Sequence, residues 1–271
     1  MERARGFLKK IIKIFKKPEM RILPGQLAFF LVLTIIPLAA LLGALASRLA
    51  IPTKALEDIV SGVLPGGVID LILEVVSPKA VNFNIAIFFI SAFILASNGP
   101  HSMIITSNEI YKIESKNILK RRMKAIAMTL VIAGLMLVLF LIPICGDYIF
   151  EIIKHNVYNP KLIDSLYIMY QLIKYPVLII IFYYNIKLLY VIAPDEPINS
   201  NTTTSGTIFT TIGWIISTEI FSFYIGTFTS YDKFYGSISN IIILLLWIYM
   251  LSYIFVFGMI INAGNEQLQS K

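Results

Sequence analysis

A single carboxylate stands near the middle of an apolar stretch that is long enough to cross a bilayer. Glu219 lies in the stretch 206–230, and Thr218 and Ser222 lie beside it at helical spacing. A charged side chain at that depth is costly, so we expect it to face the protein interior or a water-filled cavity. The pattern predicts that these three residues line a substrate or ion pathway. Small polar residues that only pack helices together are the structural alternative.

A second charge is expected within reach of Glu219. Lys174 lies inside the preceding apolar stretch, 167–192, which also contains Asn185. Because a short loop joins the two stretches, we expect antiparallel neighbours with Lys174 and Glu219 at similar depths. Pairing would offset the desolvation of both charges. The sequence predicts such a pair, in either a working or a structural role, and it predicts Asn185 as a further polar residue of the pathway.

The second apolar stretch contains a polar interruption of its own. Residues 97–101 read Ser-Asn-Gly-Pro-His, and proline removes one backbone hydrogen bond from a helix. Non-helical backbone at membrane depth must be buried in protein or line a cavity. Asn98 and His101 are therefore predicted to line a polar pocket that is reachable from the cytoplasm. A buried histidine that a neighbouring helix satisfies is the alternative for His101.

Composition places the chain in a membrane. Of its 271 residues, 57% are hydrophobic and 14% are charged, about half the charged fraction of a soluble protein. The one cysteine, Cys145, excludes a disulfide framework and a cysteine-built metal site. The predicted fold is an all-α integral membrane protein with a six-helix transmembrane domain, residues 26–262. Its spans are predicted at about 26–47, 84–105, 125–145, 167–192, 206–230 and 241–262.

Positive charges orient these spans. With both termini in the cytoplasm, sixteen of the 23 Lys and Arg residues lie on the inner side and six on the outer side, while Lys174 is intramembrane. This bias agrees with the positive-inside rule. The tail, 263–271, is then cytoplasmic, and the loop after the first span is outer. Two short amphipathic helices at 52–78 are expected in that loop, since each apolar run is too short to cross.

Basic residues are concentrated in two cytoplasmic segments. Residues 1–25 are predicted to form an amphipathic helix on the inner leaflet, where their lysines meet anionic headgroups. Arg121 and Arg122 are the headgroup contacts predicted in the second segment. The lysines of the first segment are Lys9, Lys10, Lys13, Lys16 and Lys17. Anionic membrane lipids are therefore expected partners, although a flank that only sets orientation is the alternative. Nucleic acid is not an expected partner, because the apolar residues among the lysines would contribute nothing to phosphate binding.

Four stretches carry a family resemblance. They are LAFFLVLTIIPL (27–38), SNEIYKI (107–113), LLYVIAPDEPI (188–198) and YGSISNIIILLLWIYM (235–250). Together they resemble the YihY/virulence factor BrkB family, which implies a multi-pass protein of the bacterial plasma membrane with six helices and poorly defined activity. The family usually ends with Gly-Ala-Glu and an Asn two positions on. Here Gly258 and Asn262 are kept, but Ile260 stands in place of the acid.

The family also carries an old ribonuclease label, which the residues do not favour. Nuclease chemistry needs a metal-binding carboxylate cluster or a paired general acid and base. The two histidines, His101 and His155, fall on opposite halves of the membrane, and the cytoplasmic acids have no ligand spacing. The chain is therefore expected not to be an enzyme and to need neither a metal nor another cofactor.

Three functions are compatible with these patterns. The first is a transporter or lipid translocase of the cell envelope that uses a polar intramembrane cavity, which amphipathic elements at both interfaces favour. The second is an envelope scaffold that binds partner proteins without transport. The third is a proton-coupled carrier of small solutes. The sequence identifies neither the substrate nor its direction, and it leaves a homo-oligomer open.

Overall fold

A computed structural model describes residues 18–48, 85–114, 117–156, 160–228 and 239–269. Within these ranges every regular element is an α-helix, as predicted, and no strand occurs. The helices are α1 (Glu19–Arg48), α2 (Ile85–Ala96), α3 (Asn98–Tyr111), α4 (Ile118–Asn156), α5 (Pro160–Ile192), α6 (Thr204–Phe228) and α7 (Ser239–Gln269). The N-terminal lysines and the predicted outer-loop helices lie outside the described residues.

Three of the described helices contain stretches that are long and apolar enough to cross a membrane. These stretches are Ser165–Ile192 in α5, Thr204–Ile225 in α6 and Ser239–Gln267 in α7. They coincide with the last three predicted spans. The first three predicted spans fall in α1, in α2 with α3, and in α4, and their crossing of the membrane stays a prediction. α4 has 39 residues, so its length of about 58 Å exceeds the hydrocarbon thickness.

The described core is built around α7. This helix packs against α6 on one side and α1 on another, and it also contacts α3. Phe255, Val256 and Met259 of α7 are buried with Leu27 of α1 and Ile104 of α3 in one apolar cluster. α3 is therefore an interior helix that is enclosed by α1, α4 and α7. By contrast, α5 as far as Tyr184 and the C-terminal half of α6 have many exposed and few buried side chains.

Two glycines allow α6 and α7 to approach closely. A β-carbon on Gly206 would collide with the Gly258 carbonyl oxygen and with the side chain of Asn262. A β-carbon on Gly258 would collide with the hydroxyls of Thr210 and Tyr190. The contact is also polar, because Asn262 Oδ1 accepts a hydrogen bond of 2.7 Å from the Gly206 N–H. These glycines let the backbones of two membrane helices touch.

Candidate functional site

The predicted interruption of the second apolar stretch is present. α2 ends at Ala96, Ser97 separates the helices, and α3 begins at Asn98. Pro100 has no N–H, so the Ala96 carbonyl loses its helical donor. The Ile94 carbonyl, three residues before Ser97, accepts a hydrogen bond of 2.6 Å from the Ser97 hydroxyl. Ser97 keeps helical dihedral angles and is fully buried, so the break is local, and side chains satisfy the backbone oxygen of Ile94.

Arg122 of α4 binds this break with two nitrogens. One guanidinium nitrogen donates to Asn98 Oδ1 at 2.9 Å, and the other donates to the Ile94 carbonyl oxygen at 3.0 Å. The guanidinium thereby bridges the last turn of α2 and the first residue of α3. Two predicted site residues, Asn98 and Arg122, are thus brought together. His101 lies in the same electrostatic neighbourhood, close to Arg122, Arg121 and Asp195.

α1 fixes the start of α3 from the other side. The Thr34 hydroxyl accepts a hydrogen bond of 2.8 Å from the Gly99 N–H and donates to its own Phe30 carbonyl at 2.8 Å. A β-carbon on Gly99 would lie 2.6 Å from that hydroxyl oxygen. Glycine is therefore required here for the close approach of α1 to α3. Thr34 was not among the predicted site residues, because nothing in the spacing links it to residues 97–101.

The buried face of α3 is polar. Nine of the 14 residues in α3 are buried. Ser102, Thr106 and Ser107 are at most 1% exposed, yet their hydroxyls have no hydrogen-bond partner among the described residues. An unsatisfied buried hydroxyl costs about 1–3 kcal/mol. The sequence shows these hydroxyl residues close together, but only the fold shows that they face inward.

Other hydroxyls of the bundle behave differently. Thr34, Thr129, Thr207 and Thr211 each donate to the carbonyl four residues earlier, at 2.7–2.9 Å. Such back-bonding is the usual solution for a hydroxyl on a membrane helix. The hydroxyls of α3 do not use it, and neither does the buried Ser252 of α7. α3 therefore presents oxygen atoms to the interior that are able to contact water or a polar group of a substrate.

Asp195 organises an ion network in the loop that follows α5. Its carboxylate lies 3.6 Å from Arg121 Nε and 3.6 Å from Lys124 Nζ, and the Asp195 side chain is 6% exposed. Asn108 of α3 donates to this carboxylate at 2.7 Å and accepts from the Asp195 N–H at 2.9 Å. Lys124 also donates to the carbonyls of Ala193 and Pro194. The network joins α3, α4 and the loop after α5, and it engages Arg121.

Polar contacts also join α5, α6 and α7. Tyr190 is fully buried; its hydroxyl lies 2.6 Å from that of Thr210 and donates to the Phe255 carbonyl at 2.8 Å. The Tyr111 hydroxyl, by contrast, has no partner among the described residues. Burial raises the pKa of Tyr111, and the nearby Glu266 raises it further, so Tyr111 stays neutral.

Glu219 and Ser222 are exposed on the surface of the described bundle. Thr218 is half-buried and accepts a hydrogen bond of 3.2 Å from Trp247 Nε1. Asn185 is half-buried and donates to the Ile181 carbonyl of its own helix at 2.8 Å. The polar residues that were predicted on α5 and α6 therefore do not converge on one site.

No ion pair of the described residues joins Lys174 to Glu219. Lys174 instead lies 5.4 Å from the centre of the Tyr170 ring. Tyr170 stacks on Phe150 of α4, with ring centres 5.8 Å apart. Lys174 therefore shares the face of α5 that turns toward α4, whereas Glu219 points out of the bundle. The helices are neighbours as predicted, but their rotation separates the two charges.

Metal ligands do not cluster in the described part of the chain. No group of three or more His, Cys, Asp or Glu side chains is placed there to hold a metal ion. Three described acids have structural contacts instead. Glu19 pairs with Lys112 at 3.3 Å, Asp195 pairs with Arg121 at 3.6 Å, and Glu266 accepts a hydrogen bond from Thr202.

These features define a helical membrane protein with a broken, polar interior helix. The chain belongs to the Virulence factor BrkB family, whose model matches residues 11–271. It is 28% identical over 262 residues to the ribonuclease-like protein YfkH of Bacillus subtilis, covering 95% of this chain and 94% of that protein. It is also 28% identical over 82 residues to the UPF0761 membrane protein IL2447 of Idiomarina loihiensis, covering 30% and 29% of the two chains. No solved structure matches the chain.

Proposed function

We propose that the protein is a transporter of the bacterial plasma membrane that moves a lipid or another amphiphile through a polar interior built around α3. The observation that carries the proposal is the set of buried, unpartnered hydroxyls of Ser102, Thr106 and Ser107. Polar side chains whose only role is helix packing satisfy their hydrogen bonds within the protein. Hydroxyls left unsatisfied in an interior helix suit a pathway whose occupant completes their bonding.

The break at Ser97 supports the same function. A helix that is interrupted within the membrane places polar backbone where a substrate is able to reach it, and transporters use such helices at their binding sites. Here the break stands between exposed apolar residues of α2, such as Leu95, and the polar interior face of α3. An amphiphile suits that junction, because its headgroup and its tail need the two kinds of surface.

We also propose that the protein is not an enzyme, although one relative is named ribonuclease-like. Phosphodiester hydrolysis needs a metal cluster or an acid and a base that converge on one site. Three described acids, Glu19, Asp195 and Glu266, make separate contacts with Lys112, Arg121 and Thr202.

Reconstitution into liposomes tests the transport proposal. Fluorescent lipids would report lipid flux, and an internal pH dye would report proton flux. The informative variant is Ser102→Ala with Thr106→Val, and the control is Thr129→Val, whose hydroxyl bonds only its own helix. We expect lipid flux in the wild type and in the control, with flux in the double variant close to that of protein-free liposomes.

The stability of the double variant separates function from folding. Removing unsatisfied hydroxyls should leave the melting temperature in detergent unchanged or raise it. Equal lipid flux in the double variant and the wild type would place the pathway elsewhere. Proton flux alone would favour the small-solute carrier, and the absence of any flux would favour the scaffold.

A scaffold is the second candidate, and the exposure of Glu219 favours it. This carboxylate shares its face of α6 with the exposed side chains of Ile212, Ile216 and Phe223. A charge on a lipid-facing surface is costly, so a partner helix that covers it would gain stability. A photoreactive residue at position 216 should then give a discrete cross-linked product in cells, which Glu219→Gln should abolish without changing any lipid flux.

A further inference from the structure

We propose that Arg122 binds the phosphate group of an anionic lipid from the cytoplasmic leaflet, at the break between α2 and α3. The guanidinium contacts only uncharged acceptors of the described residues, namely Asn98 Oδ1 and the Ile94 carbonyl. No carboxylate lies within ion-pair distance of it there. Arg122 therefore keeps a whole positive charge at this site, and a half-buried charge is stabilised by a counter-ion.

The two neighbouring cations do not share this property. Arg121 and Lys124 both lie 3.6 Å from the Asp195 carboxylate, which neutralises part of their charge. The Arg121 side chain is only 12% exposed, so a headgroup has little access to it. Of the two arginines that the sequence predicted as headgroup contacts, only Arg122 has no carboxylate within ion-pair distance among the described residues.

The geometry of Arg122 suits a phosphate oxygen. Its guanidinium carries five N–H donors, and the two hydrogen bonds to Asn98 and Ile94 use two of them. Those bonds hold the planar group in place, so less side-chain freedom is lost when an anion binds. Arginine pairs with phosphate through parallel hydrogen bonds.

The surroundings favour a lipid over a free anion. Ile94 and Leu95 of α2 are 47% and 53% exposed, and Met123, next to Arg122, is 60% exposed. These side chains form an apolar surface on which acyl chains are able to lie while the phosphate reaches Arg122. The role of the site, as the place where a lipid would enter the pathway, rests on the proposed function. Lipid binding at the site is measured independently of lipid flux.

Lipid binding to the full-length protein tests the site. The protein in neutral detergent is titrated with phosphatidylglycerol, phosphatidylcholine or inorganic phosphate, and bound lipid is counted by native mass spectrometry. Arg122→Gln is compared with Lys120→Gln, which removes an exposed cation from the same turn of α4. We expect Arg122→Gln to weaken phosphatidylglycerol binding about fivefold, as the loss of one basic contact predicts. Lys120→Gln and the phosphatidylcholine titrations should remain close to the wild type.

Three results would overturn the assignment. The first is equal weakening by the two variants, and the second is equal affinity of the wild type for both lipids. The third is binding of inorganic phosphate at concentrations where phosphatidylglycerol does not bind. This result would assign the site to a free anion. If Arg122→Gln fails to fold, photolabelling of the wild type decides: phosphatidylglycerol with a photoreactive headgroup should label 90–101 or 118–124. Labelling confined to other segments would reject the site. Phosphatidylglycerol binding at Arg122 without lipid flux in liposomes would count only against the transport proposal.

Discussion

Gly206 and Gly258 hold α6 and α7 so close together that a β-carbon on Gly206 has no room beside the Gly258 carbonyl oxygen. A β-carbon on Gly258 would in turn collide with the hydroxyls of Thr210 and Tyr190. Gly258→Ala should therefore destabilise the protein by about 1–3 kcal/mol, the usual cost of overpacking a tight contact. Thermal melting in detergent measures the loss. Gly264→Ala is the matched control on the same helix, because no atom lies within 4 Å of its added β-carbon. Equal melting temperatures for the two variants would contradict the close contact.

The Asp195 network should be a major source of stability where α3, α4 and the loop after α5 meet. Asp195→Asn removes the charge that faces Arg121 and Lys124 and leaves both cations without it. Breaking a buried ion pair from one side costs about 3–5 kcal/mol. Glu196→Gln alters the exposed neighbour in the same loop and should have little effect. Unfolding in a denaturing detergent would compare the two, and a similar loss in both variants would show that the network contributes little.

Lys174 and Glu219 should contribute independently to stability. Because Lys174 lies over Tyr170 and Glu219 faces outward, the energies of Lys174→Met and Glu219→Gln should add within about 0.5 kcal/mol. A double-mutant cycle on detergent melting measures the coupling. A coupling above about 1 kcal/mol would show that the two charges meet in the folded protein after all.

Two tyrosines offer a matched comparison of bonded and unbonded hydroxyls. Tyr190→Phe removes a hydroxyl that contacts Thr210 and the Phe255 carbonyl, and it should cost about 1–3 kcal/mol. Tyr111→Phe removes a hydroxyl without a partner among the described residues, so it should be neutral or stabilising. A larger loss for Tyr111→Phe than for Tyr190→Phe would reverse this assignment. Melting of both variants in the same detergent decides the order.

The sequence predicted those features that depend on local chemistry. The break near residues 97–101 was predictable because Pro100 lacks an N–H. It therefore removes a hydrogen bond from its own helix, whatever surrounds that helix. The helical class followed from the length of the apolar stretches. Both inferences need no knowledge of how one helix is rotated against another.

Features that depend on helix rotation were not predictable. Adjacent residues on a helix point about 100° apart, so Arg121 and Arg122 reach different partners, and a charge pattern alone does not assign them. The same reason separates Lys174 from Glu219, since equal depth does not fix the direction in which each side chain leaves its helix. The inward face of α3 depends on contacts with the next helix, α4, and with α1 and α7, which are distant in sequence.

Residues 121–124 of α4 connect two parts of the protein. Arg122 binds the ends of α2 and α3, while Arg121 and Lys124 bind the loop that follows α5. All three side chains leave the same rigid helix within a single turn. A twist of α4 about its own axis therefore strains both attachments together. Any movement of one attachment is therefore expected to be transmitted to the other through α4, without any direct contact between Ser97 and Asp195.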